Sequence, residues 1–294
     1  VTFPHHIAIL GPGLLGGSLA MAVRKRLPSS RISIWARREE AVGRIREIQI
    51  AELASKDLRE VVGGADLVIL ATPITVMEPL TREIAKAELS PGAIITDVGS
   101  VKASLVTGLE PLCHAAGKTF LGSHPMAGSE RTGIEAARAD LFEGAACVIT
   151  PTAQTLHGDV ARLTDFWRAL GCRVLEMSAE EHDRRIARIS HLPHVVAAAT
   201  TLAALRASPA ALDCAGNGFR DTTRVAAGDP DLWTGILSGN RAEVLSAVRD
   251  ASDTLREFLE ILEGLDEEAL RRFLLEAKSL RDRLPAGRTR HGDD

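Results

Sequence analysis

Tyrosine is absent from all 294 residues, and aromatic residues together make up only 3% of the chain. That scarcity excludes nothing by itself, but the others do. The four cysteines, Cys113, Cys147, Cys172 and Cys214, lie far apart and form no Cys-x-x-Cys pair. Neither a disulfide framework nor a thiolate zinc site is signalled, and no metal is expected. Basic residues form no long run and the net charge is −4, so nucleic acid is not the expected partner. The longest apolar stretch, around 195–205, is too short to span a bilayer, and the opening residues carry no secretory pattern. The expectation is a cytoplasmic protein with no membrane partner.

What is present is a chain with 45% hydrophobic residues, enough for a sizeable core and long enough for two domains. The first half alternates strand-like and helix-like runs. Strands are predicted over 6–10, 31–35, 65–71 and 93–97, with helices over 14–26, 38–47 and 76–87 between them. Further strands are predicted over 118–122, 146–150 and 173–177, and a helix over 161–170. This βαβ rhythm implies a parallel sheet with helices on both faces and ligands at the carboxyl ends of the strands. Ser178-Ala179-Glu180-Glu181 then matches a capping box, and the pattern to 284 is helical. Pro193 is expected to kink the first long helix of that region.

Gly11-Pro12-Gly13-Leu14-Leu15-Gly16 follows the first strand and opens a helix. In that context the first glycine permits a tight turn, the second lets a pyrophosphate approach the backbone, and the third allows helix and sheet to pack closely. The helix N-terminus presents unpaired N–H groups to the anion. The fold class is therefore α/β: an N-terminal Rossmann-like parallel-sheet domain that binds NAD(P) over 1–178, followed by an all-α substrate and dimerisation domain over 179–284 and a polar tail over 285–294. Thr72 and Pro73, beyond the third predicted strand, join the loop residues as cofactor-binding candidates. An NAD site usually carries an acidic residue after the second strand, whereas this chain reads Ala36-Arg37-Arg38-Glu39. Guanidinium groups there suit a 2′-phosphate, so NADP is favoured over NAD. The alternative is that both arginines are solvated and Glu39 or Glu40 takes the ribose.

Three clusters can carry chemistry. Asp97-Val98-Gly99-Ser100-Val101-Lys102 places Ser100 at the ligand edge, and Gly122-Ser123-His124-Pro125-Met126-Ala127-Gly128-Ser129-Glu130 places His124 there too. A base titrating near neutrality is what hydroxyl oxidation needs, so His124 is the catalytic candidate, with Ser100 to orient it or to bond the nicotinamide. Ser190-His191-Leu192-Pro193-His194 surrounds the proline, and its histidines are either ligand-facing or structural. Gly216-Asn217-Gly218-Phe219-Arg220-Asp221-Thr222-Thr223-Arg224 interrupts the helical pattern. There Arg224 can hold a carboxylate bidentately with Asp221 in support, or the two form an internal pair. Trp233 follows shortly after.

Taken together and in this order, these motifs resemble the prephenate dehydrogenase family, including its arogenate and cyclohexadienyl members, over about 6–284. The resemblance implies oxidative decarboxylation of prephenate to 4-hydroxyphenylpyruvate and CO₂, with hydride transfer to NAD(P)⁺, in tyrosine biosynthesis. It implies that His124 accepts the ring hydroxyl's proton and that Ser100 contacts both His124 and the nicotinamide. It further implies that Arg224 binds a substrate carboxylate and that His194 and Glu130 surround the side chain. Asp221 and Trp233 take supporting places, and Ser129 and His191 are further substrate-side candidates from the same motifs. A homodimer built through the helical domain is implied as well. Arogenate dehydrogenase is the alternative within the family; retention of His194 leans toward prephenate. Outside it stand a β-hydroxyacid dehydrogenase-like enzyme and a catalytically silent NAD(P)-sensing module, the latter disfavoured by an intact base.

Overall fold

The computed structural model of the chain describes residues 3–128 and 131–284. The expectations for Ser129, Glu130 and 285–294 therefore lie outside the described residues. The chain divides into two compact units, Val1–Val244 and Leu245–Asp294.

In the first unit the elements begin β1 His6–Leu10, α1 Leu14–Arg26, β2 Arg31–Trp35, α2 Glu39–Ile48, β3 Leu53–Ser55, α3 Leu58–Val62, β4 Leu67–Leu70 and α4 Ile74–Ile84. They continue with β5 Ile94–Asp97, α5 Ala103–Ala115, β6 Thr119–Phe120, β7 Gly122–Pro125, β8 Ala146–Thr150, α6 His157–Ala169 and β9 Arg173–Glu176. One sheet runs β3-β2-β1-β4-β5-β6 with every pairing parallel. The order reverses direction between β1 and β4, which makes the crevice beyond their carboxyl ends the ligand-binding position. β1 is buried along its whole length. Ile7 and Ile9 belong to the core on one face, Ala8 and Leu10 to the core on the other. An apolar run without alternation, His6-Ile7-Ala8-Ile9-Leu10, is what a strand covered on both faces requires.

The predicted strand over 118–122 divides in two. Its first part is β6, the edge of the parallel sheet, while Gly122 starts β7 of a second sheet ordered β7-β8-β9. β7 pairs antiparallel with β8, setting His124 opposite Val148, and β8 pairs parallel with β9. His124 therefore lies within a strand rather than in the loop after one. The short elements β3 and α3 were not predicted.

The helical part of this unit comprises α7 Ala179–Ile186, α8 Leu192–Ala207, α9 Asn217–Thr223, α10 Pro230–Gly239 and the start of α11 Arg241–Glu263. Ser178 caps α7 as expected, its Oγ accepting the Glu181 N–H at 3.1 Å. The Glu181 carboxylate turns instead to Arg184 and Arg185. Ahead of Pro193 the backbone forms a turn of π-helix, Ala187–His191, and the proline falls in the first turn of α8. A proline inside a helix has no N–H for the ladder and crowds the preceding turn; the wider π turn absorbs both effects, where a simple kink was predicted.

The second unit contains the remainder of α11 and α12 Glu267–Asp282, with Asp266 capping α12 through the Ala269 N–H. Phe258 and Phe273 meet with ring centroids 5.3 Å apart. Leu255, Leu259 and Leu262, spaced along one helix face, are all exposed.

Candidate active site

The Gly11 loop joins β1 to α1. Gly11 has φ +111°, open to glycine and strained for other residues. A Cβ at Gly16 would stand 1.9 Å from the Gly11 carbonyl oxygen, so α1 can start this close to the loop only with glycine there. At Gly13, the N-cap of α1, a Cβ would meet nothing within 4 Å, so the space in front of the helix N-terminus is open. No acidic side chain occupies the first turn of α1. Thr72, just beyond β4, buries a hydroxyl with no hydrogen-bond partner. An open cradle of backbone N–H groups beside an unsatisfied hydroxyl fits the pyrophosphate of a dinucleotide. Leu14 and Leu15 are half-buried, and Pro73 is exposed at the N-cap of α4. Beyond β2, Arg37 and Arg38 are exposed, while Glu39 is paired with Lys56 at 3.0 Å.

Next to this cradle, β5 ends in Asp97, whose carboxylate is fully buried with the Lys102 ammonium. Asp97 also accepts the Gly99 N–H at 2.8 Å and the Ser123 N–H at 3.2 Å, which ties the end of β5 to β7. His124 follows Ser123 and is 7% exposed. Its Nδ1 lies 2.8 Å from Nε2 of His182 on α7, and His182 Nδ1 lies 2.7 Å from Oδ1 of Asp183. Asp183 in turn accepts the backbone N–H groups of Lys102 at 2.7 Å and Ala103 at 2.9 Å, at the start of α5. Burial, with the nearby His182, Lys102 and His191 adding to it, holds the His124 pKa well below the usual histidine range. Burial also lowers His182, against the opposing bond to Asp183. His124 is therefore a neutral base at physiological pH. Ser100, the candidate to orient His124 or to bond the nicotinamide, is half-buried beyond β5; the contact on His124 Nδ1 comes from His182.

His191, at the end of the π turn, is fully buried, and burial brings its pKa down to about 4. Asn240 at the end of α10 approaches its Nδ1 at 3.3 Å and donates to the Asp183 carbonyl at 2.8 Å. Its Nε2 is buried without a hydrogen-bond partner, as is Nδ1 of His194. His194 stacks on Trp233 with centroids 3.5 Å apart and planes 12° apart, while His191 meets Trp233 edge to face. Burial lowers the His194 pKa, against a hydrogen bond to the Val225 carbonyl. Arg224 directly precedes Val225 in the 3₁₀ turn Arg224–Ala227; it and Asp221 of α9 are exposed. Thus His191, His194 and Trp233 form one cluster, and Arg224 is one residue away from a group that touches it. His182, Asp183 and Asn240 were not among the predicted site residues. Among the described residues no group of three or more His, Cys, Asp or Glu could hold a metal ion, and no helix is long and apolar enough to cross a membrane.

A doubly wound parallel sheet with a glycine cradle at its switch point, and a neutral buried histidine at the adjoining edge, define a nicotinamide-dependent oxidoreductase. Comparison with known proteins narrows this. Residues 19–176 match the nucleotide-binding domain of prephenate dehydrogenase, and residues 178–276 match its dimerization domain. The chain is 33% identical to the cyclohexadienyl dehydrogenase of Zymomonas mobilis over 281 residues, covering 94% of each. It is 35% identical to the prephenate dehydrogenase of Bacillus subtilis, covering 95% of this chain and 76% of that one. A crystal structure of prephenate dehydrogenase from A. aeolicus, in complex with hydroxyphenyl propionate and NAD⁺, superposes with a TM-score of 0.87 at 30% identity, covering 96% of this chain and 98% of that one. The chain belongs to the prephenate dehydrogenase family.

Proposed function

We propose that the protein converts prephenate to 4-hydroxyphenylpyruvate and CO₂ as a step of tyrosine biosynthesis. The observation that carries this reading is His124, a buried and neutral base at the ligand edge of the sheet. The ring hydroxyl gives its proton to His124 as the carbinol carbon becomes carbonyl-like. When bound, the nicotinamide supplies the hydride acceptor. The bond from the opposite ring carbon to its carboxylate then breaks, and its electron pair passes through the ring to the oxygen. The ring becomes aromatic, and His124 returns the proton to the phenolic oxygen. Arg224 holds a carboxylate of the substrate, with Asp221 in support; His194, His191 and Trp233 bound the side-chain end. Ser100 lies beside the reacting centre and the nicotinamide.

NADP⁺ is the preferred dinucleotide in this reading. Arg37 and Arg38 stand directly after β2, where a 2′-phosphate needs guanidinium groups, and Glu39 is engaged by Lys56. The protein acts as a homodimer through its helical part, a reading supported by the match to a dimerization domain and by the exposed Leu255, Leu259 and Leu262. Four free cysteines suit the reducing cytoplasm. On the proposed domain scheme, the dinucleotide domain occupies 1–178 and the substrate and dimerisation domain 179–284. The test is an assay of prephenate and arogenate, each against NAD⁺ and NADP⁺. The highest kcat/KM is expected for prephenate with NADP⁺. Turnover of arogenate alone would overturn the substrate assignment, and an NAD⁺ preference would overturn the cofactor assignment. His124→Asn should abolish turnover while leaving dinucleotide binding unchanged.

A further inference from the structure

The contacts behind His124 have only one consistent hydrogen-bond direction. Both oxygens of the Asp183 carboxylate accept backbone N–H groups, Oδ1 from Lys102 at 2.7 Å and Oδ2 from Ala103 at 2.9 Å. A carboxylate held in that way meets its third partner, His182 Nδ1, as an acceptor, so the hydrogen is on His182 Nδ1. In the neutral imidazole, His182 Nε2 then has a lone pair, and the 2.8 Å contact to His124 Nδ1 must be donated by His124. His124 is left with its hydrogen on Nδ1 and a lone pair on Nε2.

We propose that Asp183 and His182 are positioning residues that lock His124 in the Nδ1–H form and so leave Nε2 as the atom that takes the substrate hydroxyl proton. The inference rests on the reading of His124 as the base and adds the machinery that selects its tautomer. As the proton arrives on Nε2, His124 keeps its Nδ1–H bond to His182, and the new positive charge faces a chain ending in a carboxylate. The anchoring is rigid. Asp183 is fastened to the first turn of α5, and the Asn240 amide holds the Asp183 carbonyl at 2.8 Å. His182 is fully buried and its ring meets His124 edge to face, with centroids 5.0 Å apart. Neither ring can turn over without breaking a buried contact.

In Asp183→Asn the amide can no longer accept both backbone N–H groups. With its oxygen at the Oδ1 place it keeps the direction of the chain and loses the Ala103 N–H; with its NH₂ there it loses the Lys102 N–H and reverses the chain. In the reversed arrangement the amide donates to His182 Nδ1, His182 donates from Nε2, and His124 is forced to carry its hydrogen on Nε2, where no base remains. Nitrogen-detected NMR of histidine-labelled protein reads the tautomers without substrate or cofactor. In the wild type, His124 Nδ1 should resonate as a protonated nitrogen and Nε2 as an unprotonated one; in Asp183→Asn an exchange of the two marks the reversed arrangement. With the tautomer exchanged, the variant should lose kcat by on the order of 10³-fold or more, as wrong-tautomer substitutions do in Ser-His-Asp enzymes, with the prephenate KM within threefold of wild type. A wild-type spectrum with hydrogen on Nε2 of His124 overturns the proposal. So does an Asp183→Asn enzyme whose two His124 nitrogens have exchanged while kcat stays within threefold of wild type. If that variant does not fold, the wild-type spectrum still decides, as does His182→Gln, whose amide oxygen can accept from His124 and should keep more kcat than His182→Leu; equal loss in both counts against the relay. Full activity of His124→Asn would instead refute the base assignment, which keeps the two failures distinct.

Discussion

Replacing Gly228 with alanine tests whether the stacked pair His194–Trp233 shapes the substrate end of the site. Gly228 has φ −62° and ψ 152°, ordinary extended backbone, so alanine is conformationally acceptable there and any effect is steric. The added Cβ would stand 2.5 Å from Trp233 Nε1, 2.8 Å from its Cδ1 and 3.2 Å from His194 Cε1. Carbon contacts settle at 3.5–4.0 Å, so the indole has to retreat by roughly 1 Å. The stack, at 3.5 Å between centroids, has no slack to absorb that movement. Loss of an aromatic stack is worth ~0.5–1.5 kcal/mol, which at the upper limit corresponds to about a tenfold change in an equilibrium. Gly228→Ala should therefore raise the KM for prephenate by more than about twofold and up to about tenfold. It should leave kcat near wild type, because His124 is held independently by His182. Steady-state kinetics read this directly, and tryptophan emission should shift as the environment of Trp233 changes. A KM within twofold of wild type together with an unmoved emission maximum would refute the reasoning.

Two further outcomes follow from charge. Arg224→Ala should raise the prephenate KM by the ~1.5–3 kcal/mol of a lost hydrogen bond to a charged group, with kcat little changed; an unaltered KM removes Arg224 from the site. Acid stability follows from His191, whose pKa is about 4 in the folded chain, whereas an unfolded histidine titrates near 6.5. Between those values the unfolded state binds the extra proton. The contribution is thus complete above about pH 6.5 and is lost as pH falls toward 4, to a total of roughly 3 kcal/mol. Burial of His124, His182 and His194 acts in the same direction. Urea midpoints measured from pH 7.5 to 4.5 should therefore fall more steeply for the wild type than for His191→Gln, and parallel curves would count against the argument.

Local pattern was enough to read β1, the glycine loop, α1 and β2, because each is a short apolar run or helix bounded by its own turn chemistry. The Ser178 cap was equally local. β7 was harder, since whether Gly122 continues β6 or starts a new strand depends on pairing with β8, more than twenty residues away. Pro193 signalled a disturbance, but its form as a π turn depends on how His191 and His194 pack. The larger omission was His182 and Asp183. Their signal was present in the sequence: the buried residues of α7 are Ala179, His182, Asp183 and Ile186, spaced as one inward helix stripe. Two polar residues on a stripe that ends in isoleucine mark a buried network, which the capping box at 178–181 does not by itself reveal.

The three tryptophans stand at separate stations: Trp35 at the end of β2, Trp167 in the core against Phe142 and Phe166, and Trp233 on His194. With no tyrosine anywhere in the chain, the near-ultraviolet spectrum of the protein is an indole spectrum without a phenol band. Prephenate has no aromatic ring, and the proposed product is a phenol. Each turnover would therefore write a phenolic chromophore onto a background that contains none. Ionisation of that phenol in the site could be followed at wavelengths where a tyrosine-bearing enzyme would mask it.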